Sequence, residues 1–334
     1  MQRSRKMPPF RRRLVRWCHT VWTNAVVVVL ALGLLGQLTR DRTTFLAMCM
    51  YLPILPVGVV AIVQDLVGRG RSIPRIRFGL SMLGFAAVGW CMSMMCGLAA
   101  GGSPAADDIR LLHWNVMWGS MDNEVRWRAI VGDMIECRPD IIVLNEAPTR
   151  EFLDKMLKRL GPEWSLVQLK NLQGTGYWFN LVVASRWPVE QVGAEPFKRG
   201  QTMQAAVKTP RGRLHVMVVD GVSEPKDPRM PRLLGTARIV ARQATIHDPV
   251  DIIAGDLNTT SRSVGFERIA DAAGGYRLAS ELSGWRGTWP SYLPLLDIDH
   301  VWVAKKHLIV SDEMLFNARL DHRGQMVRIR IGGG

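Results

Sequence analysis

The 334-residue chain carries 43 lysines and arginines against 29 acidic residues, a formal net charge of +14. Such an excess is common in nucleic-acid-binding proteins, but here it is unevenly placed. Thirteen of the basic residues precede residue 78 and 30 follow residue 107, whereas Asp41 and Asp65 are the only acids before residue 107. The C-terminal part therefore has a net charge of only +3, so the total charge does not indicate a protein that binds nucleic acid.

The first 106 residues have the composition of a membrane region. Apolar stretches without Asp, Glu, Lys or Arg cover about residues 21–38, 44–63 and 78–100, and a transmembrane helix needs about 20 such residues. We predict three transmembrane helices, followed by a Gly-Gly-Ser-Pro-Ala-Ala linker at 101–106. The first stretch also fits the core of a signal peptide behind Arg11–Arg13, although no small-residue cleavage pattern follows it closely.

The basic residues predict the orientation of these helices. Seven lie in the N-terminal tail and four in the loop at 69–77, against two in the loop that holds Arg40 and Arg42. Because Lys and Arg are enriched on the cytoplasmic side, we expect the tail and the 69–77 loop in the cytoplasm. Three crossings then place the C-terminal domain outside. The chain is expected to be an integral protein of a bacterial inner membrane or a plasma membrane.

Residues 107–334 alternate between strand-like and helix-like patterns. Short apolar runs are typical of buried strands, and apolar residues spaced three and four apart are typical of amphipathic helices. The predicted elements, in chain order, are a strand at 109–116, a helix with Asn123 as its N-cap, strands at 141–144 and 214–219, a helix at 233–246 and a strand at 252–254. This alternation predicts an α/β domain.

Polar side chains follow several of these strands. Asn115, Glu146 and Asp256 each come at the end of an apolar run, and open α/β sheets bind ligands at the ends of their strands. We therefore expect the three side chains to converge. Taken singly, each is equally compatible with a turn or a solvated polar residue.

Six short signatures occur in a fixed order over about 210 residues. They are Leu-His-Trp-Asn-Val at 112–116, Pro-Asp-Ile-Ile-Val-Leu-Asn-Glu at 139–146, Ala-Ser-Arg-Trp-Pro at 184–188, Gly-Asp-Leu-Asn at 255–258, Thr-Trp-Pro at 288–290 with Ile-Asp-His at 298–300, and Asp-His-Arg at 321–323. Together they resemble the endonuclease/exonuclease/phosphatase superfamily, which has the deoxyribonuclease-I-like fold. The resemblance covers essentially all of 107–334. It implies a four-layered α/β sandwich, with two packed sheets flanked by helices.

The resemblance also implies a metal site. Asn115, Glu146 and Asp321 would hold a divalent cation, with Glu146 as the anionic ligand. Mg²⁺ suits such oxygen ligands, and Mn²⁺ is the alternative.

Catalytic roles follow from the same resemblance. Asp256 would orient or deprotonate the attacking water, and Asn258 would bind the phosphate. Asp299 would orient or pair with His322, whose imidazolium would stabilise charge on the phosphoryl oxygens. Asn180 is a further candidate for contacting the scissile phosphate.

One expected histidine is missing. Members of the superfamily commonly carry it after the Ser-Arg signature, in an Asn-x-His-Leu context, where this chain has Asp220-Gly221-Val222-Ser223. Depending on register, Asp220 or Val222 takes its place. Either Asp220 and Ser223 form a substitute substrate-binding pair, with Arg229 or Arg232 nearby, or the enzyme is weakened.

The sequence thus predicts a membrane-anchored phosphoesterase that hydrolyses its substrate by metal-assisted attack of water. Nucleic acid, phospholipid headgroups and small phosphorylated metabolites are the candidate substrates, and the bilayer is the expected partner. No protein partner can be inferred. The alternative is a catalytically weakened or inactive member that serves as a membrane receptor or scaffold.

Overall fold

The computed structural model describes residues 9–73, 76–170, 172, 180–224, 229–246 and 248–332. Internal contacts divide the chain into two compact units, Met1–Met94 and Met95–Gly334.

The first unit is helical. Its helices are α1 (Pro9–Thr39), α2 (Thr44–Met50), α3 (Ile54–Val67) and α4 (Gly79–Met95). A small apolar core, which includes Leu30, Ile54 and Leu80, joins α1, α3 and α4. Helices α3 and α4 cross closely, because a Cβ atom on Gly84 would lie 2.5 Å from the carbonyl oxygen of Gly58. Small residues at such a crossing let helix backbones approach each other without a side chain between them.

The prediction of three transmembrane helices is wrong. Among the helices in the described ranges, only α1 is long and apolar enough by itself to cross a bilayer, over Arg13–Thr39. The predicted span at 44–63 is instead the pair α2 and α3, bent by 56°, since Pro53 at the junction has no N–H to donate to a continuing helix. The predicted span at 78–100 ends as a helix at Met95, after 17 residues.

The second unit contains two six-stranded sheets. The strands of the first are β1 (Ile109–Asn115), β2 (Ile141–Asn145), β3 (Ser165–Lys170), β4 (Asn180–Ser185), β11 (Leu308–Leu315) and β12 (Gly324–Arg330). Those of the second are β5 (Val189–Phe197), β6 (Gly200–Thr209), β7 (Gly212–Gly221), β8 (Ile252–Asp256), β9 (Tyr276–Leu278) and β10 (Asp299–Ala304). The helical segments are α5 (Met117–Asp122), α6 (Glu124–Glu136), α7 (Arg150–Leu160), α8 (Met230–Ile246), α9 (Glu267–Ala270) and a 3-10 helix at Ala279–Leu282.

Both sheets are mixed. The first has the order β11-β12-β1-β2-β4-β3 and the second the order β5-β6-β7-β8-β10-β9. Strand β1 is parallel to β2 and β7 is parallel to β8, as expected for strands joined through a helix. An apolar layer lies between the sheets. Helices α6 and α7 pack on the outer face of the first sheet, and α8 and α9 pack on that of the second. The predicted α/β sandwich is confirmed.

Local signals in the sequence are also borne out. Asn123 is the N-cap of α6, and its Oδ1 accepts a hydrogen bond of 3.0 Å from the backbone N–H of Arg126. This bond satisfies one of the N–H groups that a helix leaves unpaired in its first turn. Segment α5 is not a regular helix. It is a left-handed turn, in which Trp118 has φ 54° and Ser120 has φ 55°. L-residues adopt this conformation only at a cost of about 1–2 kcal/mol each.

The inward face of the second sheet changes character at one end. Val218 on β7, Ala254 on β8 and Val301 on β10 lie in the apolar layer between the sheets. Side chains alternate along a strand, so residues two positions away share the same face. Those residues are Asp220, Asp256 and Asp299, and the polar end that they create is where the candidate site lies.

Candidate active site

Three aspartates stand side by side at this end of the second sheet. Asp220 pairs in register with Asp256, and Asp256 pairs in register with Asp299. All three are buried, with no more than 4% of their surface exposed. Aligned residues on neighbouring strands lie about 5 Å apart. The fold therefore forces three carboxyl groups together, out of water.

The first sheet contributes Asn115 and Glu146. Asn115 ends β1 and Glu146 follows β2 directly, and the parallel pairing of these strands brings their ends together. The amide of Asn115 donates a 3.0 Å hydrogen bond to Oδ2 of Asp256 and also hydrogen-bonds Glu146. Asn115 thus connects the two sheets at the site. Asn115, Glu146 and Asp256 therefore lie together, as their positions at strand ends predict.

The carboxyl groups at this end have shifted pKa values. Burial raises the pKa of Asp256 to about 7, and the neighbouring charge of Asp299 adds to this effect. Burial also raises the pKa of Glu146, against the lowering effect of the Asn115 hydrogen bond and of His322. Removing a carboxylate from water disfavours its charged form, and a like charge nearby disfavours it further. At neutral pH Asp256 is therefore only partly ionised.

His322 supplies a compensating positive charge. Its Nδ1 lies 2.8 Å from Oδ2 of Asp299, and its Nε2 lies 3.8 Å from Oδ2 of Asp256. Burial lowers the pKa of His322, but Asp299 and Asp256 outweigh that effect and raise it to about 10. In turn, burial opposes ionisation of Asp299, but His322 outweighs it and holds the pKa of Asp299 below its usual value. His322 and Asp299 form a buried ion pair.

A backbone contact fixes the position of Asp299. Oγ1 of Thr288 accepts hydrogen bonds from the backbone N–H groups of Ile298, at 3.1 Å, and Asp299, at 3.2 Å. The sequence showed Thr288 only as part of a signature, without this role. The Trp114 indole donates a 3.1 Å hydrogen bond to the carbonyl of His322 and holds the other member of the pair.

The donor groups fit a divalent cation. One ligand atom from each of Asp256, Asp299 and His322 lies within 4.8 Å of the others. Nδ1 of His322 lies 2.8 Å from Oδ2 of Asp299, which occupies one of its two ring nitrogens. The hard oxygen donors that remain are Glu146 and Asn115 beside Asp256, a set that suits Mg²⁺ or Mn²⁺. Oδ1 of Asp299 also has no hydrogen-bond partner among the described residues.

The loop after β8 places Asn258 at the site. Asn258 has a left-handed backbone with φ 47°, which Asn tolerates better than most residues. Its N–H donates to Oδ1 of Asp256 at 2.8 Å, and its Nδ2 donates to the carbonyl of Gly221 at 2.8 Å. The second hydrogen on Nδ2 is not used by these bonds. Asn258 therefore joins the ends of β7 and β8 and retains a donor.

Arg232 ties the same two strand ends together. This buried side chain on α8 donates through Nη1 to the carbonyl of Leu257 at 2.6 Å and through Nη2 to that of Val222 at 2.7 Å. Sequence reasoning placed Arg232 near the substrate, whereas these bonds show it holding the loops that carry Asn258 and Asp220. A single basic residue on a helix gives no sequence signal for this role.

Asp220 is the residue at the position of the missing histidine that faces the site. Burial raises its pKa well above the usual value, and the nearby charges of Asp256 and Glu146 add to the effect. Its Oδ2 has no hydrogen-bond partner among the described residues. Val222 lies beyond the end of β7. Ser223 is exposed in the following loop, beside residues 225–228, which lie outside the described ranges.

A second buried network lies behind these carboxyl groups. Nε2 of His113 is 3.0 Å from Oδ1 of Asn145, whose Nδ2 donates to the carbonyl of Val219 at 2.8 Å. Asn145 also hydrogen-bonds Asp220. Asn145 therefore links His113, behind the site, to Asp220 within it.

The remaining predicted site residues are placed as follows. Asp321 is exposed, next to His322, and its charge acts on Glu146 and His322. Asn180 is buried, and its Nδ2 donates to the carbonyls of Ala147, at 2.6 Å, and Pro148, at 2.9 Å. Both hydrogens of that amide thus hold the segment after Glu146. A phosphate contact for Asn180 and metal ligation by Asp321 stay predictions.

Comparisons with known proteins agree with the resemblance seen in the sequence. A profile of the Endonuclease/Exonuclease/phosphatase family matches residues 112–322. No curated protein matches the chain at a significant level.

Several solved structures share the fold. The catalytic domain of human Nocturnin with bound sulfate has a TM-score of 0.51 at 15% identity, covering 66% of this chain and 94% of that one. Bacteroides thetaiotaomicron mannosyl-6-phosphatase has a TM-score of 0.53 at 13% identity, covering 66% and 99%. D. rerio TDP2 in complex with a single-stranded DNA product has a TM-score of 0.50 at 17% identity, covering 67% and 99%. At these identities, the likeness establishes the fold alone.

The ion pair of His322 predicts a pH-dependent contribution to stability. Its pKa is raised from 6.5 to about 10 on folding, so the contribution is complete below pH 6.5 and is lost as the pH rises towards 10. We expect His322→Asn to lower the thermal unfolding midpoint of the full chain in detergent at pH 6, with a difference from wild type that shrinks by pH 10.

An exposed histidine provides the control. His19→Asn should leave the midpoint close to that of wild type at every pH. A His322→Asn difference that stays constant from pH 6 to pH 10 would contradict the buried ion pair.

Proposed function

Because the chain belongs to the endonuclease/exonuclease/phosphatase family, we propose that its second unit is a divalent-metal-dependent phosphoesterase that hydrolyses a phosphoester by attack of water. The observation that carries the proposal is a polar set that joins partly buried Glu146 to buried Asn115, Asp256, Asp299 and His322. A buried cluster of like charges costs folding free energy and is typical of catalytic sites.

Asp256 is the candidate general base. Its pKa of about 7 lies near neutral pH, where a carboxylate is both ionised in part and basic enough to take a proton from water. The backbone N–H of Asn258 and the amide of Asn115 each donate to one of its oxygens. These bonds hold the carboxylate in one orientation, towards a water that attacks the phosphorus.

His322 and Asn258 are the candidate phosphate-binding groups. The imidazolium of His322 is held by Asp299 through Nδ1, which leaves Nε2 to donate to a phosphoryl oxygen. The free hydrogen on Nδ2 of Asn258 offers a second donor. Donors that are fixed before the reaction stabilise the charge that develops in the transition state.

Glu146 and Asn115 would hold the cation, with Asp321 as the further predicted ligand. A bound Mg²⁺ or Mn²⁺ supplies positive charge against the phosphoryl oxygens and the surrounding carboxylates. The other functions of the site belong to the protein side chains.

Asp220 is the candidate acid that replaces the missing histidine. A neutral carboxyl group donates a proton, and burial among other acids favours the neutral form of Asp220. Such an acid protonates the oxygen of the departing alcohol, a contribution of about 10²–10⁴ in rate. This role requires no histidine in the Asn-x-His-Leu position.

The first test is turnover. We expect the full chain in detergent to hydrolyse a chromogenic phosphoester with Mg²⁺ or Mn²⁺ and to lose activity with EDTA. Glu146→Ala and Asp256→Ala should each lower kcat/KM by at least about 10², since each removes a group that acts only at the site.

Asp154→Asn is the matched control, because Asp154 is an exposed acid on α7, and it should retain wild-type activity. If the wild type were as inactive as Glu146→Ala on both monoesters and diesters, the enzyme proposal would fail and the scaffold alternative would stand.

The role of Asp220 is tested by the leaving group. Asp220→Asn keeps a hydrogen-bond donor but cannot transfer a proton, so we expect kcat to fall by about 10²–10⁴ for an alkyl phosphoester. The nitrophenyl ester should be affected much less, because nitrophenolate departs without protonation. Asp220→His should retain more activity on the alkyl ester than Asp220→Asn. Equal losses on both esters would instead indicate a structural role.

We further propose that the chain is anchored in a membrane through α1, with the second unit on the extracytoplasmic side. Large apolar side chains are exposed on α1, α3 and α4, among them Leu38, Val67 and Phe85. Exposed apolar surface of this kind favours contact with lipid. With the basic tail in the cytoplasm, one crossing by α1 leads outside. A bent α2–α3 pair that entered and left on one face would not change this.

The orientation is tested with reporters fused after Gly334. We expect alkaline phosphatase, which is active only outside the cytoplasm, to be active in this fusion and a cytoplasm-dependent fluorescent protein to be dark. The opposite pattern would place the second unit in the cytoplasm. A fusion of each reporter after Met7 provides the cytoplasmic control.

A further inference from the structure

An exposed apolar rim lies beside the site. It consists of Met121, Tyr292, Leu293 and Phe316, whose side chains are exposed by 71%, 69%, 54% and 51%. The rings of Tyr292 and Phe316 meet edge to face, with centroids 5.2 Å apart. Single exposed apolar residues are ordinary, but an adjoining group next to a functional site marks an interaction surface.

Hydrogen bonds tie the rim to the segment that carries His322. The Tyr292 hydroxyl donates to the carbonyl of Ala318 at 2.9 Å. Ser291, next to Tyr292, donates through its N–H to the carbonyl of Asp321 at 2.7 Å. On the other side, Ser120 Oγ donates to the carbonyl of Arg319 at 2.9 Å, which brings Met121 to the same segment. The rim is thus hydrogen-bonded to residues 318–321, the segment that leads directly into His322.

Tyr292 and Leu293 form the tip of a hairpin. Trp289 and Leu296 pair at its base through backbone bonds of 3.0 and 2.9 Å. The indole of Trp285 donates to the carbonyl of Pro294 at 2.7 Å and so braces the returning arm. The apolar tip is held outward by this pairing.

The segment just before the hairpin, 284–286, is joined to the initial segment of the second unit, 95–99. Arg286 donates through its N–H to the carbonyl of Met95 at 2.8 Å, and Gly97 donates to that of Gly284 at 2.6 Å. A Cβ atom on Gly97 would lie 2.5 Å from the carbonyl oxygen of Ser280, so this contact is close. These contacts therefore brace the segment that leads into the hairpin.

We propose that the apolar rim docks into a lipid surface and that the substrate is a phosphoester carried by a membrane amphiphile. This inference rests on the proposed function. Aromatic side chains favour the membrane interface, where their rings are buried and the polar end of Tyr stays hydrated. Arg319 is exposed on the segment that carries Phe316, and its charge suits the phosphate of a lipid headgroup.

Photocrosslinking tests the docking without any measurement of enzyme activity. The full chain, with benzoylphenylalanine in place of Leu293, is reconstituted in nanodiscs of phosphatidylcholine and phosphatidylglycerol with labelled acyl chains. The control carries the same group in place of Val192, which is 39% exposed on β5. We expect at least about tenfold more lipid adduct at position 293, a ratio that corresponds to about 1.4 kcal/mol. Equal adduct at the two positions would overturn the docking proposal.

Substrate class is tested with two phosphodiesters that share a nitrophenolate leaving group, hexadecyl p-nitrophenyl phosphate in nanodiscs and water-soluble methyl p-nitrophenyl phosphate. The variant that combines Leu293→Ser and Phe316→Ser should lose about tenfold on the hexadecyl ester, because it buries less apolar surface in the interface. It should stay within about twofold of wild type on the methyl ester, since the side chains of the site are unchanged.

Outcomes separate the two proposals. Equal rates of the variant and wild type on the hexadecyl ester, or equal losses on both esters, would overturn the amphiphile assignment. If the wild type cleaved neither ester and no other phosphoester, the proposed function would fail, and crosslinking at position 293 would still decide whether the rim contacts lipid. Val192→Ser is the matched control and should match wild type on both esters.

Discussion

The alignment of Asp220, Asp256 and Asp299 is the constraint on which the rest of the site depends. Two unit charges about 4 Å apart repel by about 4 kcal/mol at an effective dielectric constant of 20, and burial adds to the cost of ionising each group. The fold offsets this in two ways, through the imidazolium of His322 beside Asp299 and through the burial of Asp220, which raises its pKa and so favours its neutral form. The oxygen donors of Glu146 and Asn115 provide a place for a third source of compensation, a divalent cation.

Much of this arrangement could be predicted from the sequence, because it depends on strand ends. Asn115 and Asp256 close apolar runs, and alternation along a strand determines which face a residue lies on. The apolar periodicity predicted α6, and Asn123 predicted where it begins. These are local patterns, and each is encoded within a few neighbouring residues. The two-sheet sandwich was predicted differently, from the order of six signatures rather than from any one of them.

The parts that could not be predicted depend on contacts between distant segments. Arg232 donates to carbonyl groups on two separate loops, and Thr288 accepts a hydrogen bond from the N–H of Asp299. In both cases the partner is a backbone group. Every residue has such groups, so the sequence does not indicate which one a side chain will bind. Of the three apolar stretches, only the first forms a single helix long enough to cross a bilayer, and the reason is related. Hydropathy sums residues without regard to helix breaks. Pro53 interrupts the second stretch, and the helix of the third stretch ends at Met95, whose carbonyl accepts a hydrogen bond from the N–H of Arg286.

The contacts of Asp220 extend behind the carboxyl groups of the site. Asn145 hydrogen-bonds Asp220, and its Oδ1 lies 3.0 Å from Nε2 of His113. Burial and the nearby charges of Asp256 and Glu146 raise the pKa of Asp220, and a raised pKa favours the neutral carboxyl group, which can donate a proton. In the proposed mechanism, Asp220 takes the place of the histidine that the resemblance implies, so the site keeps a proton donor. The absence of that histidine therefore does not by itself favour the inactive alternative.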